Sequence, residues 1–371
     1  MNSEQKPFEM GEVPHPGETV QEYLEFNSWS QRDLARRTGV SPKIISEICN
    51  GKTSITPPTA LAFENVFERP AHFWLGLQQI YDESAARRKT QSASFADWAK
   101  LFPIKEMKEL KFSLPEGLSD AEALLKFFGV ANPTTWDSVW SSWTVAYRQT
   151  RVRQIRNEAV AAWVRETELS ARELQVADYS DERLHAALSE LRPLSRLGAE
   201  RILEPIQKIC AAAGVAVVLV PGLPGTGISG CARWLSSRRA LVGLTLRYKT
   251  DDQLWFTLFH ELAHILLHRN KRSFVIDNAA NDLGDKIVDP EMEPVETEAN
   301  TFARETLIPA TQMSEFLHRK VFTNDSIHDF AERVQIGPGI VVGRLQHDGV
   351  ILPHQGNRLK QKLDFGFTEE E

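Results

Sequence analysis

The chain has 371 residues, too many for one typical domain, and its 42% apolar and 25% charged content is that of an ordinary globular protein. A formal net charge of −7 argues against a wholly basic nucleic-acid binder but leaves room for a local basic face. Cys49, Cys210 and Cys231 lack CxxC spacing and read as free thiols of a reducing cytoplasm; the polar start MNSEQKPFEMGEVPHPGE has no signal-peptide core, and no run approaches the ~18 apolar residues of a membrane span.

Residues 1–13 are polar and loose in character. From Pro16 the pattern turns helical, with Val20, Tyr23, Leu24 and Phe26 as one apolar stripe. Ser30 then caps a short helix, Gly39 permits a tight turn, and Ser41 caps a second helix with Pro42 at its first position. Leu34, Ala35, Val40, Ile45 and Ile48 supply a shared core, which makes the segment a helix-turn-helix. On its second helix and just beyond, Lys43 and Lys52 suit phosphate contacts, Ser46 and Asn50 can reach base edges or phosphate, and Ser41 lies exposed at the helix start. Residues 28–52 carry five basic side chains (Arg32, Arg36, Arg37, Lys43, Lys52) against two acidic ones (Asp33, Glu47), a local surplus that fits a DNA-facing patch. A small helical protein-interaction domain with a solvated basic face would carry the same residues.

The flanks narrow this reading. HPGETVQEYLEFNSWSQRDLA, ISEICNGKTSITPPTALAFENVF and PAHFWLGLQQIYD, together covering residues 14–82, resemble the HigA-type antitoxin branch of XRE-like helix-turn-helix domains. The resemblance implies a homodimeric binder of palindromic operator DNA, commonly one that regulates its own promoter.

Residues 85–200 read as a helical connector or sensor region without an assigned ligand. Arg87-Arg88-Lys89 forms a short basic linker, and Leu101–Leu110 and Ala121–Phe128 have amphipathic helical patterns with breaks at Pro103, Pro115 and Gly129. Trp136, Trp140 and Trp143 recur at helical spacing, Trp163 follows, and such tryptophans are more often core than ligand cage. Arg148, Arg151, Arg153 and Arg156 form a second basic run, which suits DNA backbone or a solvated helix face. Residues 201–220 give a helix ending near Gly214 and then a buried strand, Val215–Val220. The glycine-rich loop 221–227 lacks the GK[ST] of a phosphate loop, and Ile228–Trp234 and Ala240–Arg247 read as two further strands. The edge of such a sheet can take up an extended peptide.

The chemistry concentrates in Trp255–His268, WFTLFHELAHILLH, a helix apolar almost all round and therefore buried, with Thr250-Asp251-Asp252 as N-cap and first-turn acids. Within it lies an HExxH motif. Helical residues four apart share a face, so His260 and His264 can aim both imidazoles at one ion, and Glu261 sits beside them. Two neutral imidazoles suit zinc, and an adjacent carboxylate can take a proton from water that the ion activates. A core helix with two hydrogen-bonded histidines would show the same pattern, so the third ligand matters. The metzincin continuation HExxHxxGxxH is absent, since Leu267 and Asn270 occupy its glycine and histidine positions. His268 reads better as a helix cap, although it or Tyr248 could polarise an oxyanion. Downstream, Glu296 can complete a His-His-Glu set with Asn300 one turn on to orient an imidazole. Glu298, ~200° around the same helix, competes with it, and a solvated acidic helix start is the bland alternative. Cys231 could approach the metal but reads more simply as a small buried hydrophobe.

HELAHILLH followed by ETEANTFARETLIP resembles the ImmA/IrrE family of zinc metallopeptidases, with Thr306-Leu307-Ile308-Pro309 replacing the family's more usual leucine-methionine-proline ending. The resemblance implies that His260, His264 and Glu296 hold Zn2+ and that Glu261 is the general base. The segments AYRQ (146–149) and AWVRETELSAREL (162–174) are similar to those preceding the peptidase in fused proteins of this kind.

Beyond it, residues 336–346 pack against the peptidase core, and the polar tail from 353 to 371 is expected to fray. The fold expected is α+β and mainly α: a helix-turn-helix domain (14–84), a helical connector (85–200) and a zincin-like peptidase domain with a small sheet (201–352). The expected function is that of a cytoplasmic DNA-binding transcriptional regulator carrying a zinc endopeptidase that cleaves a specific protein, such as a repressor or toxin partner. The alternative is a HigA-like antitoxin or repressor whose zinc domain senses or binds a toxin without turnover. Manganese could also occupy a His-His-Glu site.

Overall fold

The structure, a computed structural model, describes residues 13–90, 93–145, 156–245, 249–268, 275–278 and 293–363. The chain divides into two compact units, Met1–Ala96 and Asp97–Glu371, and the helices expected to form a connector fall in the second unit with the sheet.

The first unit is helical: α1 (Pro16–Phe26), α2 (Gln31–Thr38), α3 (Pro42–Cys49), α4 (Pro57–Phe67) and α5 (Ala71–Thr90). Its local signals act as the sequence implies. Ser30 and Asp33 form a reciprocal capping box on α2, Gly39 ends that helix with φ 69°, and Ser41 accepts the Ile44 N–H at the start of α3. Two hydrogen bonds from its own N-cap, Ser30, and an ion pair with Arg36 hold the Asp33 carboxyl down at about 2. Val20, Leu24, Leu34, Ile45, Ile48, Phe63 and Trp74 close a single core. Phe26 departs from the expected apolar stripe and is 87% exposed, because Val20 and Leu24, four apart, already define the buried face. The helix α5 also runs straight through Arg87-Arg88-Lys89, which therefore are not an irregular linker.

The division between the units falls within α6 (Ala93–Ala99), and the rest of the second unit follows. It begins with α7 (Ile104–Glu109), α8 (Asp120–Phe128) and α9 (Pro133–Val145). Helix α7 is shorter than the expected Leu101–Leu110, starting only after Pro103. Trp136 and Trp140 are buried against Phe102 and Phe128 as a packed aromatic core, while the Trp143 side chain and Arg148, Arg151 and Arg153 lie outside the described residues.

Next come α10 (Asn157–Arg172), α11 (Asp181–Leu191), α12 (Leu203–Ala212) and four strands, β1 (Val215–Leu219), β2 (Ile228–Ser236), β3 (Arg239–Leu244) and β4 (Val275–Asn278). The sheet order is β1-β3-β2-β4, with β1 parallel to β3 and β2 antiparallel to both of its neighbours. The fourth strand was not anticipated; it pairs with β2, so the edges of the sheet are β1 and β4. Both faces of β1 are buried, which explains the continuous apolar run Val215–Leu219. One face of the sheet, with Val217, Ala232 and Val242, joins the core of α13 (Asp251–Leu267). The other meets α10, where Trp163 Nε1 donates to Val220 O over 3.2 Å and Arg233 pairs with Glu168. Then α14 (Glu293–Leu307), α15 (Ala310–His318), α16 (Asn324–Val334) and α17 (Pro338–His347) complete the unit.

The start of α13 differs from the sequence reading. Thr250 makes no side-chain cap, and Asp251 and Asp252 are buried rather than solvated. Helix α17 causes this: Gly339 and Gly343 bring its backbone against the two carboxylates, so that a Cβ on Gly343 would lie 2.6 Å from Asp252 Oδ2. The chain end closes the remaining side. Lys360 Nζ meets Asp252 Oδ2 at 2.7 Å, Gln361 N donates to Asp251 Oδ1 at 2.9 Å, and Leu363 is buried. The tail is therefore docked as far as Leu363 and does not fray there, while residues 364–371 lie outside the described part.

Burial, then the neighbouring Asp252, push the Asp251 carboxyl up to about 7. The folded protein thus keeps a proton that the unfolded chain releases near pH ~4, so this residue's contribution to stability falls as pH rises from ~4 to ~7 and is level above. Asp251→Asn keeps the acceptor for Gln361 and removes the penalty. In urea titrations the variant is expected to exceed the parent by up to about 4 kcal/mol at pH 8 and by clearly less at pH 5. An equal difference at both pH values would contradict the assignment.

Candidate metal centre and nucleic-acid interface

The apolar residues of α13 bury the helix, and its i, i+4 spacing turns both motif histidines the same way. His260, Glu261 and His264 are 1%, 0% and 5% exposed, so bulk water does not solvate them. Helix α14 packs alongside and brings Glu296 in. The Nε2 atoms of His260 and His264 lie 2.9 Å apart, Glu296 Oε2 is 3.3 Å from the first and Glu296 Oε1 is 3.7 Å from the second. Among the described residues these three form the group whose donor atoms converge, all within 4.8 Å of one another, and Cys231 is not part of it. Tyr248 lies outside the described residues.

The donor set fits a metal ion. Four ligands at zinc's ~2.0–2.1 Å bonds sit ~3.3 Å apart in a tetrahedron, and the three separations here bracket that value. His260 Nδ1 lies 3.0 Å from Asn300 Oδ1, an acceptor, so Nδ1 carries the hydrogen and Nε2 keeps a lone pair aimed at Glu296. Burial, then the rings of His260 and His268, push the His264 imidazole well below its ordinary range and keep it neutral. Two imidazoles and a carboxylate converging in a buried site are a donor set that a cation fits.

Glu298, the competing acid, points elsewhere: its Oε2 is 3.1 Å from His268 Nε2, and His268 Nδ1 is 3.0 Å from His264 Nδ1. His268 stands at the helix end with its backbone N–H on His264 O, and its ring contacts Glu298 and the Nδ1 atom of His264 rather than the converging Nε2 and carboxylate atoms. Sequence reasoning missed Gly230. A Cβ there would lie 2.7 Å from Glu261 Oε1 and 2.6 Å from Thr257 Cγ2, so only glycine lets β2 pass over the buried carboxylate. An irregularity between Ile228 and Gly230 re-aims the strand at the same place. A glycine inside an apolar strand pattern was the available signal. Cys231, next along, is buried, and burial followed by the Glu261 charge pushes its thiol up.

In the first unit, Ser41, Lys43, Asn50 and Lys52 are exposed and Ser46 is half-buried. Lys43 makes a 3.8 Å contact with Glu47, too weak a surface pair to hold it from a phosphate. Asn50 Nδ2 donates to Ser46 O at 2.7 Å and to Ser46 Oγ at 3.3 Å, so the two side chains read as base contacts are tied to each other.

Residues 20–74 match the helix-turn-helix family and residues 239–346 match the IrrE N-terminal-like domain of a peptidase family. The chain is similar to the uncharacterized HTH-type transcriptional regulator YddM of Escherichia coli (strain K12), 30% identical over 81 residues, which are 22% of this chain and 86% of that protein. Among solved structures it is similar to an addiction module antidote protein of a HigA family from Coxiella burnetii, with 36% identity, 22% of this chain and 88% of that chain covered, and a TM-score of 0.21. Among the described residues no helix is long and apolar enough to cross a membrane.

Proposed function

We propose, for a chain that belongs to the XRE-type helix-turn-helix transcriptional regulators and carries an IrrE-like peptidase domain, that it binds operator DNA as a homodimer in the cytoplasm and cleaves a specific protein partner at a zinc centre. The observation that carries the peptidase half is the convergence of His260 Nε2, His264 Nε2 and the Glu296 carboxylate beside the buried Glu261. His260, His264 and Glu296 would hold the ion, and zinc bound there supplies Lewis-acid chemistry toward water and a carbonyl oxygen. Asn300 holds the His260 ring. Glu261, kept from bulk water under Gly230, accepts the proton of the attacking water at a carboxylate oxygen and returns it to the leaving amide nitrogen, so that one acid-base group serves both halves of peptide hydrolysis. The free, buried state of all three cysteines agrees with a reducing compartment. A second reading keeps the repressor and makes the zinc domain a non-catalytic sensor or toxin-binding module; the HigA-type motifs of residues 14–82 favour it.

Glu261→Gln removes the base and keeps the three metal donors. New protein N-termini released in a cell extract by the parent, counted by mass spectrometry, are expected to fall by a factor of ~10²–10⁴ with the variant while its zinc content is unchanged. Undiminished cleavage by Glu261→Gln contradicts the mechanism, and no cleavage by a zinc-loaded parent leaves the second reading in place. For the DNA half, Lys43→Ala combined with Lys52→Ala is expected to weaken binding to a fragment of the chain's own promoter. The slope of log affinity against log salt should become shallower by about 1.8, as for two lost phosphate contacts. An unchanged slope contradicts phosphate contact at these lysines.

A further inference from the structure

We infer that Glu298 and His268 form a relay that fixes the tautomer and orientation of His264, which makes both positioning residues for the metal; the inference rests on the metal reading above. Its basis is the chain of contacts Glu298 Oε2 to His268 Nε2 (3.1 Å), His268 Nδ1 to His264 Nδ1 (3.0 Å) and His264 Nε2 to His260 Nε2 (2.9 Å). A carboxylate only accepts, so His268 Nε2 carries the hydrogen and, in the neutral ring, Nδ1 is left as an acceptor. That acceptor takes the Nδ1–H of His264, and the lone pair of His264 is thereby placed on Nε2, toward Glu296. His260 reaches the same state by a shorter route, through Asn300. Helix α14 therefore supplies a metal donor, Glu296, and the outer anchor of each imidazole, Asn300 and Glu298.

The two relay members differ in weight. The His268 side chain is 8% exposed, so its acceptor cannot be replaced readily by water. Without it, His264 either leaves a buried N–H unpaired or moves its hydrogen to Nε2, into the space the metal needs. Glu298 is 61% exposed, and its loss only frees His268 to adopt either neutral tautomer, a smaller effect.

The test measures zinc affinity of the full chain by competition with a chromophoric chelator. His268→Phe keeps an aromatic ring but has no acceptor, and affinity is expected to fall ~10–100-fold. His268→Asn places Oδ1 at the same number of bonds from Cα as the imidazole Nδ1 and is expected to recover most of the loss. Glu298→Gln should stay close to the parent and Glu298→Ala fall a few-fold. A purely packing role predicts the reverse order, Phe better than Asn, and that order overturns the relay. Imidazole ¹⁵N shifts of the metal-free protein give a second readout: His264 should be a single Nδ1–H tautomer in the parent and lose that state in His268→Phe. Unchanged affinity and tautomer in His268→Phe overturn the relay alone, whereas a parent that binds no zinc overturns the metal reading and the relay with it.

Discussion

The Nε2 atoms of His260 and His264 lie 2.9 Å apart in a buried site, with a Glu296 carboxylate oxygen 3.3 Å from the first, and this is a donor arrangement that a cation would bridge. The rest of the second unit can be understood as the frame that enforces this contact. Helix α13 is apolar on nearly every side, and its two motif histidines are buried with it. Helix α14 adds Glu296 and holds the His260 ring through Asn300. The sheet contributes an absence of side chain, at Gly230, where any Cβ would displace the Glu261 carboxylate.

Placing these groups to within a few tenths of an ångström requires a fixed helix, and α13 is fixed at its start. Glycines of α17 and the strap of residues 360–363 hold Asp251 and Asp252 in a buried corner, one carboxylate paired with Lys360 and the other bonded to the Gln361 N–H. A solvated acidic first turn would favour the helix dipole at lower cost. Here the acids exchange hydration for attachment points, and the raised Asp251 carboxyl is the physical sign of that exchange. The helix-turn-helix unit is built differently, from short capped helices around one aromatic-rich core, with its cations on the outside.

What the sequence made legible follows from the range of the signals. Ser30, Gly39 and Ser41-Pro42 are caps and a turn residue that act within three or four positions, so the helix-turn-helix could be read directly. His260 and His264 share a face by helical geometry alone. The choice between Glu296 and Glu298 was different, because both lie on one helix and only the packing of α14 on α13 decides which carboxylate meets the imidazoles. Strand β4 could not be anticipated, since the β2 residues it pairs with lie more than forty positions earlier and four residues carry little periodicity. Asp251 and Asp252 misled for the same reason: as a local pattern they are first-turn acids, and only the distant glycines of α17 and Lys360 show them buried.

Whether the three donors hold an ion decides what the second unit can do. Metal content of the purified chain and of Glu296→Ala, by inductively coupled plasma mass spectrometry, tests this most directly. About one zinc per parent chain, and its loss in the variant, is the result expected of a three-donor site. A parent without metal after zinc is supplied, or a Glu296→Ala chain that retains the parent's full complement, would contradict it.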